Sequence, residues 1–354
     1  MNKKIIQLLF TITKLIVFST CLPAQNNAGL FDSDSVLQMT LSGNIRSLLN
    51  DRSDDAKYYP LIISYIQQNG DTFSINAKAK TRGHFRKQQG NCNYPPLLLR
   101  FTNNDTLQAS VFKEQQKLKL VMPCRGDDYV VREWMAYKLY NLITPKSFMA
   151  RLTRVTIDDN KSKKNVSFYG ILIEEESRMA KRNGEINVSW KINPQSTQQQ
   201  DFLTMAMFEY MIANTDWSVQ YLQNVKLIAR DSTTIPSTVA YDFDHAGIVD
   251  APYAQPAEEL RMTSVQQRRY RGYCMQDLQK FDSVIVAYNK LKPAIYDLYT
   301  NCTLLDPKYV KSTLKFLDDF YATINDPGKF KKEFSYPCDP NGTGNVVIKG
   351  LKGN

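Results

Sequence analysis

A change of hydrophobic pattern near residue 175 constrains the fold of this 354-residue chain more than any other feature. Before it, apolar residues alternate with polar ones or form short β-branched runs, as is typical of strands. The predicted strands are residues 36–41, 59–66, 73–81, 97–101, 117–122, 152–157 and 166–173. Apolar residues at helical spacing predict one helix among them, at residues 127–142. The first half is therefore expected to be rich in β-sheet.

Beyond Glu176 the apolar residues recur mainly at helical spacing. The predicted helices are residues 202–213, 278–291 continuing into 294–298, and 307–324, with one β-hairpin formed by residues 224–229 and 238–241. This order predicts an α+β, two-lobed atypical protein-kinase-like fold. We place the sheet-rich N-lobe at residues 25–175, the helical C-lobe at residues 176–338 and a flexible tail at residues 339–354.

The N-terminus has the pattern of an export signal. Two lysines and an apolar stretch from Ile5 precede Ala24, whose small side chain fits a signal-peptidase site. We interpret residues 1–24 as a signal peptide and expect export to the periplasm, the cell surface or the medium. Attachment of a lipid at Cys21 and an uncleaved anchor are the alternatives. No later stretch approaches the ~20 apolar residues of a membrane span, so none is predicted in the mature chain.

Export makes disulfides admissible for the six cysteines. Cys92 and Cys124 are expected at the edge of one sheet, and Cys274 and Cys338 bracket the helical C-terminal region. We predict the pairs Cys92–Cys124 and Cys274–Cys338, which leave Cys302 as a free thiol. Zinc is disfavoured because no cysteines have C-x-x-C spacing and only two histidines are present.

Net charge is +10, which suits acidic partners such as phosphates, an anionic envelope surface or nucleic acid without choosing among them. Lys78, Lys80 and Arg82 alternate along one predicted strand, which leads into a further basic run with Arg86 and Lys87. This basic face is interpreted either as a cradle for phosphates or an acidic substrate, or as a solvated edge strand. A second basic cluster contains Arg268, Arg269 and Arg271, interleaved with Tyr270 and Tyr273. It is expected to cover the helical lobe or contact substrate rather than bind nucleic acid, because no known nucleic-acid motif accompanies it.

Clustered oxygen-bearing residues follow the apolar helix at residues 202–213. Asp216 lies in the next loop, Asn224 begins the predicted hairpin, and Asp242 and Asp244 follow its second strand. Magnesium prefers such oxygen ligands and keeps phosphates in its coordination shell. An EF-hand beginning at Asp242 is excluded, because Tyr253 stands where a bidentate glutamate is required.

Three motifs, Asn-Thr-Asp-Trp at 214–217, Asn-Val-Lys-Leu at 224–227 and Tyr-Asp-Phe-Asp at 241–244, resemble the conserved block of CotH-like (spore-coat protein H) atypical kinases. The likeness is to exported members of the Bacteroidetes kind and runs from Arg82 to the C-terminal helices. It implies that Asp216 is the catalytic acid and that Asn224, Asp242 and Asp244 lie on the metal side of the site.

In the first half, the resemblance implies that Lys119 binds phosphate and is paired with Glu133, and Arg82 is placed with them at the nucleotide. The implied cofactors are ATP with magnesium or manganese, and the implied partner is an unknown protein whose hydroxyl is phosphorylated. The chain departs from ordinary kinases because it lacks a Gly-rich phosphate loop and a His-Arg-Asp motif. A catalytically inactive kinase-fold protein that binds partners in the envelope is therefore the alternative, and a metal phosphodiesterase is a third.

Overall fold

The computed structural model describes residues 29–162 and 164–338. The predicted signal peptide, with Cys21, and the predicted tail at residues 339–354 lie outside the described residues.

Seven strands in the first half of the chain form a closed barrel. They are β1 (Leu37–Gly43), β2 (Tyr59–Ile66), β3 (Thr72–Thr81), β4 (Leu97–Phe101), β5 (Lys117–Val121), β6 (Ala150–Asp159) and β7 (Val166–Ile173). The order around the barrel is β1-β2-β3-β4-β5-β7-β6, and β6 returns to pair with β1. All pairs are antiparallel except β1–β6, which is parallel with Leu37 opposite Thr153. Each predicted strand is present with nearly its predicted limits.

Alternation along the strands fills the barrel interior. Side chains at every second position point to the same face, so one apolar set of each strand faces the barrel axis, while β5, β6 and β7 also bury apolar residues on their outer face. Leu41, Ile63, Leu97, Leu99 and Leu120 are fully buried in this core. The short helices α1 (Ile45–Asn50) and α2 (Asp105–Gln108) add Leu48 and Leu107 to it, and neither helix was predicted.

The predicted two-lobed kinase-like fold is wrong. Such a fold has an open N-terminal sheet, whereas β1 and β6 pair here over seven residues and close the sheet into a barrel. Closure satisfies the backbone groups that two open edges would leave unpaired. Alternation in a sequence identifies strands but does not determine which distant strands pair, and this is why the closure was missed.

The rest of the chain packs around a second core. It comprises α3 (Asp127–Ile143), which is inserted between β5 and β6, then α4 (Glu176–Arg182), β8 (Ile186–Val188), α5 (Gln199–Met211), β9 (Val225–Ala229), β10 (Ser237–Ala240), α6 (Asp282–Thr300), α7 (Pro307–Ile324) and α8 (Pro327–Phe334). The three strands form a separate sheet in the order β10-β9-β8. Helices α4 and α8 and strand β8 were not predicted.

Helix α3 connects the two cores. It packs against β6 and β7 on the barrel side and against α6 on the other. Its residues Trp134, Ala136, Leu139 and Tyr140 are buried, so both faces of the helix are covered. The barrel and the helical half are thereby held together, with α3 and β5 close to the small sheet.

Two disulfides are present, Cys92–Cys124 and Cys274–Cys338, and these are the pairs expected from the sequence. Cys302 is a free thiol. Disulfides persist mainly in oxidising compartments, so their presence is consistent with export. Among the described residues, no helix combines the length and the apolarity that crossing a membrane requires.

Candidate functional site

A cleft of about 390 Å³ lies where the barrel meets the small sheet. Its walls come from the end of β3 and the loop after it, from β5, from the loop after α5, and from the segments flanking β9 and β10. Six of the predicted site residues line it: Arg82, Lys119, Asp216, Asn224, Asp242 and Asp244. A larger depression of about 970 Å³ beside Tyr210 and Tyr336 contains none of them.

The loop that carries Asp216 is fixed by backbone and side-chain hydrogen bonds. Helix α5 ends at Met211, and Ala213 takes a left-handed conformation with φ 53° that turns the chain out of the helix. The side-chain oxygen of Asn214 then accepts a hydrogen bond of 3.1 Å from the backbone N–H of Asp216. Arg271 donates to the backbone oxygen of Thr215 at 2.5 Å and so holds the loop from behind. The carboxyl group of Asp216 is thus presented to the cleft in a defined position.

Asn224 is held against Asp216. Its Nδ2 atom donates to the backbone oxygen of Asp216 at 2.7 Å and to the Oδ2 atom of Asp216 at 3.0 Å. Asn224 has φ 48°, a left-handed conformation that asparagine tolerates better than most residues. With Nδ2 committed in this way, the amide oxygen remains as the group of Asn224 able to ligate a cation.

Asp242 and Lys119 form an ion pair across the cleft. The Nζ atom of Lys119 lies 3.0 Å from the Oδ2 atom of Asp242. Asp242 has φ 66°, and its backbone N–H donates to the hydroxyl group of Tyr137 on α3 at 3.0 Å. Burial acts to raise the pKa of Asp242, but the positive charge of Lys119, with Arg86 and Arg82 farther away, outweighs burial and lowers it. Asp242 is therefore an ionised carboxylate at neutral pH.

Arg86 is the central buried cation of the site. It lies on a short helical turn, Phe85–Lys87, which follows β3 after Gly83 turns the chain with φ 89°. One guanidinium nitrogen, Nη1, is 3.5 Å from Glu133 and also 3.5 Å from Asp244, while Nη2 donates to the backbone oxygen of Met122 at 2.6 Å. Nε and Nη1 have no hydrogen-bond partner among the described residues.

The expected pairing of Lys119 with Glu133 is therefore replaced by two other ion pairs, Lys119–Asp242 and Arg86–Glu133. Glu133 is on α3, and its side chain is only 2% exposed. Burial is the largest influence on Glu133 and raises its pKa, with Asp244 and Asp242 adding to the effect, while Arg86 opposes it. Glu133 thus lies buried behind the cleft, where it contacts Arg86, and does not line the cleft itself.

Asp216 is electrostatically unlike Asp242. Burial raises its pKa, the neighbouring carboxylates Asp244 and Asp242 add to the rise, and His245 and Arg271 oppose it. A carboxylate whose pKa is raised is a better proton acceptor than an ordinary aspartate. The two acids are thus differentiated by their surroundings, as in sites that assign one carboxylate to proton transfer and another to charge stabilisation.

The side-chain donors of the cleft determine what kind of metal site it can form. Within residues 29–162 and 164–338, no group of three or more His, Cys, Asp or Glu side chains is arranged to hold a metal ion. A magnesium ion that accompanies phosphates needs only one or two protein carboxylates, because waters and phosphate oxygens complete its shell. The Asp242 carboxylate and the Asn224 amide, which share the cleft, fit that smaller requirement. The residues therefore suit a metal ion that binds together with a phosphate ligand. They do not form a site in which protein carboxylates alone surround the metal.

Several residues of the site were not recognised from sequence. Arg86 was noted only as part of a basic run, and Arg271 only as one of several arginines. Tyr253, whose hydroxyl group donates to the Oδ2 atom of Asp244 at 3.2 Å, was considered only as the position that excludes an EF-hand. Arg86 and Arg271 are arginines at 8% exposure, and neither can be told from a surface arginine without the tertiary structure.

No known protein-family model matches this chain, and no curated protein is significantly similar to it.

Proposed function

We propose that the cleft binds ATP together with magnesium or manganese and that the chain transfers the terminal phosphoryl group to a protein hydroxyl. The observation that carries this proposal is the meeting of Lys119 and Arg82 with Asp216, Asn224 and Asp242 in one cleft of about 390 Å³. The proposal rests on these side chains and not on the kinase-like fold, which the barrel excludes. It agrees with the role assignments that the CotH-like resemblance implies.

The cationic side binds the phosphates. Lys119 and Arg82 both line the cleft, and together they place two positive charges beside it. Positioned cations stabilise the charge that is spread over the phosphoryl oxygens during transfer. The 3.0 Å contact between Lys119 and Asp242 keeps the ammonium group directed at the same space.

The acidic and amide side chains of the cleft hold the metal ion and act on the hydroxyl group that receives the phosphoryl group. The metal, when bound, neutralises the phosphate oxygens and aligns them for displacement. Asp242 and the amide oxygen of Asn224 would hold it, with Asp244 held at the rear of the site by Arg86 and Tyr253. Asp216 accepts the proton of the attacking hydroxyl, whose oxygen bonds to the terminal phosphorus as the bond to the leaving ADP breaks.

We further propose that the chain acts outside the cytoplasm, in the periplasm, at the cell surface or in the medium. The two disulfides support this placement because they are stable in oxidising compartments. The phosphoryl donor would then have to be supplied in that compartment.

A second candidate is a catalytically inactive binding protein of the envelope. It is favoured by the same ion pair, because Lys119 neutralises the Asp242 carboxylate that a cation would use. Under this proposal the cleft recognises an anionic partner but transfers nothing.

Thermal unfolding with ATP and manganese tests the first proposal. A ligand that binds only the folded state raises the melting temperature by mass action. The wild type should gain stability only when ATP and manganese are both present, and Asp242→Ala should remove the gain. Asp297→Ala, which removes an exposed acid on α6, is the matched control and should keep the gain. No gain with any nucleotide and metal would leave the inactive binding protein as the better proposal.

A further inference from the structure

A row of like charges crosses three neighbouring strands on the outside of the barrel. Lys78 on β3 stands opposite Arg100 on β4, and Arg100 stands opposite Lys117 on β5. All three side chains are exposed. Side chains directly opposite on neighbouring strands are ~5 Å apart, and like charges in that position destabilise a sheet. The chain thus carries an arrangement that works against its own stability.

Within the part of the chain that the structure describes, these three charges have no acidic partner. Lys78, Arg100 and Lys117 make no ion pair of 4 Å or less with any acid in residues 29–162 or 164–338. Lys80 lies 5.2 Å and Arg100 5.8 Å from the ring centroid of Tyr58, so a single aromatic ring is the nearest favourable contact for two cations.

The row continues into the cleft. The next set of paired positions, one step closer to the cleft, is Lys80, Leu98 and Lys119. Arg82 extends β3 further and donates its backbone N–H to the backbone oxygen of Pro96 at 2.9 Å. Lys119 and Arg82 both line the cleft. We name the six cations together the basic stripe: Lys78, Lys80, Arg82, Arg100, Lys117 and Lys119.

Protection of a sheet edge does not explain the basic stripe. Lysines on an edge strand prevent unwanted pairing with other chains. Here β3 is paired with both β2 and β4, β4 with both β3 and β5, and β5 with both β4 and β7. No edge exists at these strands, so the cations require another explanation.

We propose that the basic stripe docks an acidic, extended polypeptide segment that carries the acceptor hydroxyl into the cleft. This inference rests on the proposed function and names its acceptor class. Residues 78, 80 and 82 alternate along one strand, so their side chains repeat every ~6.7 Å, the spacing of alternate side chains in an extended peptide. Leu98 and Tyr58 offer apolar contact between the charges, which suits a polypeptide better than a polyanion of uniform charge.

Binding of a labelled peptide tests the docking surface. The probe is a fluorescein-labelled peptide of alternating glutamate and serine, measured by anisotropy at low and high salt, without nucleotide. The triple variant Lys78→Gln, Arg100→Gln, Lys117→Gln removes three of the six cations and should bind the peptide about tenfold more weakly and with about half the salt dependence. The matched control Lys290→Gln, Lys311→Gln, Lys315→Gln removes the same charge from exposed positions on α6 and α7 and should bind like the wild type.

Equal binding by the two triple variants would overturn the proposal. Tighter stripe-dependent binding of a single-stranded oligonucleotide, or of vesicles containing anionic lipid, than of the acidic peptide would also overturn it in favour of that partner. The ATP and manganese thermal shift is read separately on the same triple variant. If the wild type binds the peptide but shows no thermal shift with ATP and manganese, the proposed function is wrong and the docking surface stands. If the triple variant keeps both the thermal shift and the peptide binding of the wild type, the docking surface is wrong and the proposed function stands.

Discussion

The ammonium nitrogen of Lys119 lies 3.0 Å from the carboxylate of Asp242, and this contact links the barrel to the segment that follows the small sheet. The Lys119 side chain is 10% exposed and that of Asp242 is 29% exposed. Water therefore reaches the pair only partly, and each charge depends on the other for its stability in the cleft.

Lys119→Met should destabilise the protein and abolish ATP binding. Loss of the ammonium group leaves the Asp242 carboxylate without its main partner, at a cost of about 1–3 kcal/mol in the free energy of unfolding. Urea denaturation measures the first effect and the thermal shift with ATP and manganese the second. Lys290→Met on the exposed face of α6 is the control and should change neither. Retention of the nucleotide shift in Lys119→Met would contradict the phosphate-binding role.

Asp216→Asn should separate binding from transfer. Asparagine keeps an oxygen that accepts the hydrogen bond from the Asn224 amide, so the loop should hold its shape. It cannot accept a proton, and loss of a general base lowers rates by about 10²- to 10⁴-fold. Transfer of radiolabelled phosphate from ATP to the glutamate–serine peptide should fall by that factor while the thermal shift remains. Equal transfer by the two proteins would exclude Asp216 as the base.

Arg86→Met should be strongly destabilising. The guanidinium group is the shared partner of Glu133 and Asp244, and removing one partner of buried charges costs about 3–5 kcal/mol. Adding Glu133→Gln to Arg86→Met should recover part of that loss, because one uncompensated acid is removed. Denaturant unfolding of the single and double variants measures the coupling. Additive losses in the double variant would show that the Arg86–Glu133 contact contributes little.

Glu209 provides a pH test. It is fully buried on α5, and its two carboxyl oxygens have no hydrogen-bond partner among the described residues. Burial raises its pKa well above the ordinary 4.5, and Asp216 adds to the rise, while the nearby Asn214 amide opposes it. The folded state thus holds the proton more tightly than the unfolded state. The resulting stability is complete below pH 4.5 and is lost as the pH rises through the folded-state pKa.

Glu209→Gln should therefore lose less stability than the wild type as the pH rises above 4.5, the ordinary pKa of glutamate. Melting temperatures measured across that range test the expectation. The exposed-acid control Glu258→Gln should follow the wild type. Parallel curves for wild type and Glu209→Gln would mean that Glu209 does not titrate as its burial requires.

The Cys92–Cys124 disulfide should stabilise the segment that carries Arg86. It spans 32 residues of sequence and ties the loop after β3 to the chain just beyond β5. Replacing both cysteines by serine should lower the free energy of unfolding by about 2–5 kcal/mol. Cys302→Ser, which removes the free thiol, is the control and should change stability little. A double variant as stable as the Cys302 variant would contradict this role.

Part of the site could be predicted because it depends on local patterns. Apolar helix α5 followed by the Asn214–Asp216 loop, and a strand followed by Asp242, are features of short segments. Asn224, Asp216 and Asp242 line the same cleft. The partners of these residues were not predictable in the same way. Glu133 and Lys119 are 14 residues apart, but the fold gives them Arg86 and Asp242 as partners, which lie far away in sequence.

The positions of the seven barrel strands and of the long helices could be predicted from the sequence, because alternation and helical spacing are properties of neighbouring residues. The two disulfide pairs could also be predicted, because Cys92 and Cys124 were expected at the edge of one sheet and Cys274 and Cys338 bracket the helical C-terminal region. The parallel pairing of β1 with β6, which closes the barrel, and the burial of Arg86 between two acids became apparent only in the three-dimensional fold. Strand pairing and charge burial depend here on residues tens to more than a hundred positions apart in the sequence, and no local pattern records which distant partner lowers the free energy most.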